Sequence, residues 1–460
     1  MTDHLVDSGE KDFSAAFVIH VAFAGELRRR SAEARLEEAV GLAEAIDLKV
    51  VRKQTVTLSN PRPATLIGAG RVEAVAAELA AMTPRPGLVI VDAMLSPVQH
   101  RNLEKALDAK VLDRTALILE IFGARARTAE GRLQVDLAHL TYQKSRLVRS
   151  WTHLERQRGG RGFLGGPGER QIESDRRAIE VKIDRLREKL EQVRRTRTLQ
   201  REKRRKAPHP VVALVGYTNA GKSTLFNRLT RSDVVARDQL FATLDPTMRA
   251  VDLPSGQRII LSDTVGFISD LPTELVAAFR ATLEEVNEAD LILHVRDAAH
   301  EDSDAQREDV IAVLRQLGVD EGDERPVIEV MNKIDLLDAD DRLSLAASAR
   351  QARRTAAMTS DEPARICVSA VNGEGVEELR ALVDTLLTND RETYSVTIDG
   401  VDGAPLAWLH AHGDVRSERR LDGAVTLEVR LSEKASGQFR KLYPAQALVQ
   451  ERPTTRRQIA

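Results

Sequence analysis

Short apolar runs alternate with amphipathic stretches along the first quarter of the chain. The apolar runs, which predict strands, are 18–23, 49–58, 88–95 and 110–112. The amphipathic stretches, which have the spacing of helices, are 33–46, 71–82 and 97–108. Strands that alternate with helices indicate a parallel sheet. We therefore expect an N-terminal parallel α/β domain at residues 16–125, after a disordered N-terminus at 1–15.

The pattern changes to long helices between residues 126 and 206. The second helical arm carries an apolar seam with coiled-coil spacing at Ile172, Ile179, Ile183, Leu186, Leu190 and Val193. Such a seam can pack against the first arm, at about 131–157, as an antiparallel hairpin. A glycine-rich segment, 159–169, lies between the two arms. We expect an antiparallel helical hairpin with a glycine-rich tip loop at residues 126–206.

Residues 207–390 return to the alternation of strands and helices and predict a second α/β domain. The remaining residues, 391–460, predict a small α+β domain and a tail. The strand-like and helix-like segments of that domain are 394–398, 424–431 and 433–443. The fold class expected for the whole chain is therefore multidomain α/β.

Charge is distributed unevenly along the 460 residues. The formal net charge is −2, but residues 144–206 carry 21 Lys and Arg against 9 Asp and Glu, an excess of +12 that leaves −14 for the rest. A basic block on an otherwise acidic protein is typical of a partner with a phosphate backbone. A solvated charged helix has the same composition, so both interpretations stay open at this point.

Composition also narrows the class of protein. The single cysteine, Cys367, excludes disulfides within the chain and zinc sites built from several cysteines. The N-terminus is polar and acidic, unlike a signal peptide, and no apolar run approaches the length of a membrane span. We expect a cytoplasmic protein without stable membrane insertion.

The segment 211–224, VVALVGYTNAGKST, carries the first motif with defined chemistry. An apolar strand runs into G-x-x-x-x-G-K-[ST] and then into a helix, which is the context that a phosphate-binding P-loop requires. Gly216 and Gly221 allow backbone N–H groups to turn towards phosphate oxygens. Lys222 is expected to bridge the β- and γ-phosphates, and the Ser223 hydroxyl to hold Mg²⁺.

Two later segments predict the switch elements of a nucleotide hydrolase. A strand ends in D-x-x-G, which places Asp263 to hold Mg²⁺ through water and the N–H of Gly266 to sense the γ-phosphate. The intervening segment FATLDPT, 241–247, is suited to a switch loop that closes when a γ-phosphate is present. It offers Thr243 and Thr247 as magnesium ligands, and spacing alone does not choose between them.

The motifs N-K-x-D and S-A-V identify the base. The Asp335 carboxylate can accept hydrogen bonds from both N1–H and the exocyclic amine of guanine, which adenine does not supply. Asn332 and Lys333 are expected to brace that pocket, and the backbone N–H of Ala370 to meet guanine O6. The order and spacing of these motifs are those of a GTPase, with a Ras-like P-loop domain at residues 207–390.

The position after D-x-x-G predicts how hydrolysis proceeds. Phe267 stands where many GTPases have a glutamine that orients the attacking water, and a phenyl ring lacks the polar atoms for that task. We therefore expect slow intrinsic hydrolysis. The rate would come from a partner that reorders the switches, or from K⁺ held partly by Asn219 in the P-loop.

The glycine-rich segment contains G-x-G-x-x-G at residues 160–165, which resembles a dinucleotide-binding fingerprint. That fingerprint requires a preceding strand, whereas this segment lies between two helical arms. We interpret it as a flexible tip with arginines for phosphates and an aromatic ring to stack on a base. A disordered linker is the alternative. The expected RNA-contacting residues are Arg156, Arg158, Arg161, Phe163 and Arg170.

With these motifs placed, the chain resembles the HflX family of translational GTPases, relatives of Obg, over roughly residues 16–445. The resemblance rests on GYTNAGKST, FATLDPT, DTVGF, NKID and SAV, on QVDLAHLTYQKSRL at 134–147, and on the glycine loop with GERQIESDRR at 168–177. It implies that the partners are the 50S subunit and the 70S ribosome. It also implies that the GTP form splits stalled or idle 70S ribosomes, and that hydrolysis permits release.

The resemblance further implies that the glycine loop reaches towards the peptidyl transferase centre and that Thr243 is the magnesium threonine. The expected ligands are therefore GTP or GDP with Mg²⁺, and K⁺ as a candidate; we expect no DNA partner and a monomer. The expected catalytic residues are Lys222, Thr243, Gly266 and Asn219. The expected nucleotide contacts are Gly216, Tyr217, Thr218, Asn219, Ala220, Gly221, Lys222, Ser223, Phe241, Ala242, Thr243, Leu244, Asp245, Asp263, Thr264, Val265, Gly266, Asn332, Lys333, Ile334, Asp335, Ser369, Ala370 and Val371.

Two other functions remain compatible with these motifs. An assembly GTPase that chaperones the large subunit would prefer precursor particles to mature 70S ribosomes. A passive RNA-binding protein with an idle nucleotide pocket would bind ribosomes without needing Lys222. A tRNA-modifying GTPase is disfavoured, because the end of the chain lacks the cysteine motif that such enzymes carry.

Overall fold

Three separate β-sheets organise the computed structural model of the protein. The residues described are 11–23, 30–157, 167–204, 209–231, 240–241, 247–269, 286–316, 318–319, 325–359, 363–388, 391–399, 403–421 and 423–450. The sheets have four, six and four strands within these residues. The expected multidomain α/β fold class is confirmed.

The N-terminal sheet is entirely parallel and has the strand order β2-β1-β3-β4. Its strands are β1 (Lys11–Phe23), β2 (Lys49–Leu58), β3 (Arg85–Asp92) and β4 (Lys110–Asp113). Its helices are α1 (Ala32–Glu44), α2 (Ala69–Ala81), α3 (Pro97–Leu107) and α4 (Arg114–Arg125). Because β1 begins at Lys11, the prediction of disorder for residues 1–15 is wrong from that residue onward.

Local capping explains where the helices of this sheet begin. Ser96 accepts a hydrogen bond from the N–H of Gln99 while the Gln99 side chain accepts one from the N–H of Ser96, which forms a capping box before Pro97. Asp113 caps α4 through the N–H of Ala116. Helix α4 was missed in the sequence pattern, because its apolar run is nearly continuous and lacks helical periodicity.

Two long helices form the expected hairpin. They are α5 (Ala129–Gln157) and α6 (Pro167–Arg204), which pack side by side. Ile183 is buried on the inner side of α6, and the seam residues on either side of it are partly buried, whereas most residues between them are exposed. The predicted seam is therefore the packing face of α6 wherever its side chains are described.

The central sheet has the order β10-β9-β8-β5-β7-β6, with β6 antiparallel and the other strands parallel. Its strands are β5 (Val211–Gly216), β6 (Thr247–Asp252), β7 (Arg258–Asp263), β8 (Leu291–Asp297), β9 (Val327–Asn332) and β10 (Ala364–Cys367). Its helices are α7 (Lys222–Thr230), α8 (Ser303–Gln316), α9 (Ala339–Thr359) and α10 (Val376–Thr388). The carboxyl ends of the parallel strands β5, β7 and β9 therefore lie at one edge, where ligands of open α/β sheets bind.

The C-terminal sheet is antiparallel and has the order β12-β13-β11-β14. Its elements follow one another as β11 (Arg391–Asp399), α11 (Gly403–His412), β12 (Asp414–Leu421), β13 (Ala424–Ser432), α12 (Glu433–Leu442) and β14 (Val449–Gln450). This β-α-β-β-α-β sequence is a ferredoxin-like arrangement. The strand-like and helix-like segments predicted from the sequence match β11, β13 and α12.

One hydrophobic core joins the N-terminal sheet to the central sheet. It includes Val18 of β1 and Phe122 of α4 together with Val215 of β5 and Phe267. The Phe122 ring meets the Phe241 ring edge to face, with centroids 4.7 Å apart. The two sheets are therefore packed against each other through a continuous apolar contact.

Candidate functional site

The P-loop lies between β5 and α7, and two of its glycines are required by close approach. A Cβ on Gly216 would lie 2.2 Å from the carbonyl oxygen of Val295, and a Cβ on Gly221 would lie 2.2 Å from Nδ2 of Asn332. Gly221 also has φ +90°, which favours glycine. The loop therefore packs directly on strand β8 and on the N-K-x-D motif.

Lys222 is buried within the loop that it serves. Its Nζ donates to the carbonyl oxygens of Gly216 at 3.0 Å and of Tyr217 at 2.7 Å. Burial lowers the pKa of Lys222 to about 8, although the nearby Asp263 carboxylate acts in the opposite direction. A phosphate group would supply the negative charge that favours the protonated form of this amine.

The predicted magnesium ligands converge at the start of α7. The Ser223 hydroxyl donates to Oδ2 of Asp263 at 2.8 Å, so a hydroxyl and a carboxylate share one position. These are hard oxygen ligands of the kind that Mg²⁺ prefers, and the donor set fits that ion. Thr243 lies outside the described residues, as do Ala242, Leu244 and Asp245.

The guanine loop, defined here as residues 369–373, is tied to N-K-x-D and to the P-loop. Asn332 donates from Nδ2 to the carbonyl oxygen of Ala220 at 2.8 Å and accepts the N–H of Ala370 on Oδ1 at 3.0 Å. The Ser369 hydroxyl donates to Oδ1 of Asp335 at 2.5 Å. The N–H of Ala370, which was expected to donate to guanine O6, therefore donates to Asn332 in this structure.

Lys333 braces the same pocket from a left-handed backbone conformation. Its φ is +64°, and its Nζ lies 2.8 Å from Oδ2 of Asp297 at the end of β8. Ile334 is buried next to it, whereas the side chain of Val371 is 69% exposed. The loop therefore fixes the backbone of Val371, whereas its side chain extends into solvent.

Phe267 has a different role from the one its position suggests. The ring is buried in the core that joins the two sheets, away from solvent. Its backbone pairs with the P-loop, since its N–H donates to Gly216 at 3.1 Å and its carbonyl accepts from Thr218 at 2.7 Å. The phenyl ring therefore anchors the segment after D-x-x-G against the N-terminal sheet.

Other predicted nucleotide contacts have side chains engaged elsewhere. Phe241 and Val265 lie in the same core, and the Thr264 hydroxyl donates to the carbonyl oxygen of Leu214 at 2.6 Å. At Gly266 a Cβ would lie 2.9 Å from Cγ2 of Thr218, so a side chain there would displace the P-loop. These residues can offer a nucleotide their backbone groups.

Sequence reasoning missed a buried strand-end cluster, which consists of His20, Glu38, Asp92 and Arg114 from the N-terminal half with Tyr217 and Ser269 from the central half. The Tyr217 hydroxyl donates to Oε2 of Glu38 and accepts the N–H of Ser269 at 2.8 Å. A P-loop side chain is thus bonded to α1 and to the segment after D-x-x-G. The available signal was the placement of Asp92 at the end of β3 and of Arg114 directly after β4, at the edge where parallel strands end.

Arg114 is the central cation of the strand-end cluster. It is 3% exposed and donates to Asp92 at 2.5 Å, to Glu38 at 2.5 Å, and to the carbonyl and hydroxyl oxygens of Ser269 at 3.1 and 2.9 Å. Burial alone would raise the pKa of Asp92, but the Arg114 charge and the hydrogen bond to His20 outweigh it and hold that pKa well below its usual value. Asp92 and Arg114 are therefore both charged at neutral pH.

The hairpin residues expected to contact RNA are described only in part. Arg156 lies in α5 and Arg170 in α6, without described side chains, and Arg158, Arg161 and Phe163 lie outside the described residues. The outer face of α6 carries exposed ion pairs at helical spacing, for example between Arg177 and Glu173. In that stretch, charge on α6 is partly balanced within the helix.

Metal and membrane sites of other kinds are not found in the described part of the chain. No group of three or more His, Cys, Asp or Glu side chains there could hold a metal ion. None of the described helices is long and apolar enough to cross a membrane.

Four family models match successive parts of the chain. They are described as GTP-binding GTPase N-terminal over 33–123, GTP-binding GTPase Middle Region over 125–204, 50S ribosome-binding GTPase over 211–333 and HflX C-terminal domain over 355–450. Together they cover parts of all three sheets and the hairpin.

Individual relatives extend over most of the chain. A GTPase HflX of Magnetococcus marinus is 49% identical over 414 residues, which are 90% of this chain and 92% of that one. A GTPase HflX of Escherichia coli is 40% identical over 429 residues, which are 92% and 94% of the two chains. A GTP-binding protein of Sulfolobus solfataricus, solved in complex with GDP, is 23% identical with a TM-score of 0.43 over 82% of this chain and 99% of that one.

Proposed function

Because the chain belongs to the HflX family of GTPases, we propose that it binds the large ribosomal subunit and splits stalled or idle 70S ribosomes in its GTP form. The protein is a GTP hydrolase with a GTPase domain of the ribosome-binding type. Hydrolysis would lower affinity for the ribosome and permit release. The observation that carries this proposal is the pairing of a GTPase site with a long basic hairpin in one chain.

The residues of the site would divide the work of hydrolysis. Lys222 would hold the β- and γ-phosphates, and the N–H of Gly266 would report the γ-phosphate. Ser223, Thr243 and Asp263 would hold Mg²⁺, which when bound offsets the charge of the phosphates. Asp335 would select guanine, oriented by the Ser369 hydroxyl.

Coupling to the hairpin would run through the N-terminal sheet. The segment after D-x-x-G is bonded to Arg114 through Ser269, and α4 leads directly into α5 of the hairpin. A γ-phosphate that moves Gly266 would therefore act on the body that carries the hairpin. Ribosome binding would then be strong only in the GTP form, because a ligand shifts an equilibrium only by its differential affinity.

We propose the domain division expected from the sequence, with one change at the start. The N-terminal domain would run from Lys11, where β1 begins, to residue 125. The hairpin at 126–206, the GTPase domain at 207–390 and the C-terminal domain from 391 would follow.

Sedimentation of 70S ribosomes with the protein tests this function. With GTP or a non-hydrolysable analogue we expect free subunits to accumulate, with the protein on the 50S peak, and with GDP we expect intact 70S ribosomes. Raising the salt concentration should weaken binding steeply, because phosphate contacts release counterions. No splitting with any nucleotide would refute the proposal, and binding to precursor particles alone would favour the assembly role.

A tip variant separates the hairpin from the nucleotide site in the same experiment. Replacing residues 161–165 with Gly and Ser should abolish splitting and leave intrinsic GTP hydrolysis unchanged. Loss of GTP binding in that variant would contradict the assignment of the tip to RNA. Lys222→Ala is the opposite control, since splitting that persists in it would indicate a passive RNA-binding protein.

Monovalent cations are expected to change the rate of hydrolysis. Asn219 is exposed in the P-loop at φ +59°, in a position to help hold K⁺ beside the phosphates. Turnover in potassium chloride should exceed turnover in sodium chloride on the order of tenfold, because a fixed positive charge at this place stabilises the transition state. Steady-state phosphate release at equal ionic strength measures it. Equal rates in the two salts would exclude a role for K⁺ in hydrolysis. In Asn219→Ala the difference between the two salts should disappear.

A further inference from the structure

Arg228 lies in the last turn of α7 and holds the guanine loop through two of its carbonyl groups. Its Nε donates to the carbonyl oxygen of Ala370 at 3.1 Å, and its Nη2 donates to the carbonyl oxygen of Val371. One guanidinium therefore fixes two successive carbonyl groups of the loop. A planar fork of donors suits this task, because both hydrogen bonds form without independent rotation.

These two bonds also determine where an N–H group points. In a planar trans peptide the carbonyl of one residue and the N–H of the next point in opposite directions. Since the carbonyl of Ala370 faces Arg228, the N–H of Val371 faces away from Arg228. In the part of the chain that the structure describes, that N–H has no hydrogen-bond acceptor.

The rest of the guanine loop is already closed by hydrogen bonds. Gly373 donates its N–H to the carbonyl of Ser369 at 2.8 Å, and Ser369 donates its own to Glu374 at 2.9 Å. The N–H of Asn372 donates to the Ser369 hydroxyl at 3.3 Å. With the N–H of Ala370 on Asn332, the N–H of Val371 is the donor that this loop leaves available for a ligand.

We propose that Arg228 is a positioning residue for guanine recognition. By fixing the carbonyl groups of Ala370 and Val371, it holds the N–H of Val371 ready to donate to guanine O6. A donor that is oriented before the nucleotide arrives loses less freedom on binding, which strengthens the contact. Arg228 lies outside the five sequence motifs of the site, so no motif assigns it this role.

The surroundings of Arg228 make it suitable for substitution. The side chain is exposed and lines an open cleft beside Arg231, Asp252 and Glu377. Truncation there leaves no buried void, which is the usual source of large losses in stability. A folded Arg228→Ala protein is therefore expected.

Nucleotide analogues with and without O6 test whether Arg228 supports the hydrogen bond to that atom. In Arg228→Ala the affinities for GDP and IDP, which both carry O6, should fall about five- to tenfold, as for one misplaced hydrogen bond. The affinity for 2-aminopurine riboside diphosphate, which has hydrogen in place of O6, should stay within about twofold. Arg228→Lys should lie between the two proteins, since one ammonium group replaces the fork. Competition against a fluorescent GDP analogue gives all these values.

Arg249→Ala is the matched control. It removes the same charge from the neighbouring strand β6, where the guanidinium donates to the carbonyl of Met248. All three affinities should be unchanged in that protein. An equal fall for all three nucleotides in Arg228→Ala would overturn the proposal and leave Arg228 a structural residue, and unchanged GDP affinity would overturn it as well.

Discussion

Asp335→Asn is expected to exchange the preference of the site from guanine to xanthine nucleotides. The side-chain oxygen of an asparagine can accept N1–H of guanine or of xanthine. Its NH2 group, however, faces the exocyclic amine of guanine, so two donors would meet. Xanthine has an oxygen at that position and matches it. The Ser369 hydroxyl holds Oδ1 in place, so the side chain has little freedom to rotate away from the mismatch. A site built on such hydrogen bonds discriminates strongly, so GDP affinity should fall at least about 100-fold and XDP affinity should rise.

Competition binding with GDP and XDP measures this exchange, and hydrolysis of XTP shows that the catalytic groups remain in place. Asp338→Asn is the matched control three residues later. Oδ1 of Asp338 accepts the N–H groups of Asp340 and Asp341 at the start of α9, which an asparagine also does. An unchanged ratio of GDP to XDP affinity in Asp335→Asn would exclude this carboxylate as the reader of the base.

Arg114→Met is expected to destabilise the contact between the two sheets, because Arg114 is a buried cation that donates hydrogen bonds to Asp92 on one side and to Ser269 on the other. It removes the buried cation and leaves the carboxylates of Asp92 and Glu38 without that partner. Breaking a buried ion pair by removing one member costs about 3–5 kcal/mol. Urea denaturation followed by circular dichroism measures the loss in the free energy of unfolding.

Arg35→Met is the control for that variant, because Arg35 also reaches the Ser269 hydroxyl from the N-terminal half, at 2.9 Å. Because this contact is one hydrogen bond to a neutral hydroxyl, its removal is expected to cost about 1 kcal/mol. Adding Asp92→Asn and Glu38→Gln to Arg114→Met should recover part of the stability, since the uncompensated charges are gone. Equal losses for Arg114→Met and Arg35→Met would refute the central role of Arg114.

The motifs of the candidate nucleotide site could be recognised because each is a short continuous run of residues whose types are fixed by its chemistry. The P-loop needs glycine where a Cβ would strike Val295 or Asn332, and such constraints are local enough to be read as a motif. The seam of α6 was predictable for a similar reason, since a repeat of seven residues is visible without a partner.

Contacts between the sheets were not predictable, because they join residues that are far apart in sequence. Glu38 and Tyr217 are separated by 179 positions, and nothing in either local pattern marks them as a pair. The same holds for Phe267, which was interpreted only as the absence of glutamine. Its burial in the shared core depends on the N-terminal sheet lying beside it.

The edge-to-face contact of Phe122 with Phe241 also implies a delay during synthesis, because Phe122 is made well before the ring that covers it. The N-terminal sheet can form once β4 has left the ribosome, but Phe241 follows Phe122 by about 120 residues. At 5–20 residues per second the apolar side of α4 would wait roughly 6–24 s for its cover. A nascent chain of this protein therefore exposes an apolar surface in that interval. We expect chaperones that bind exposed apolar helices to associate with it until the central sheet is synthesised.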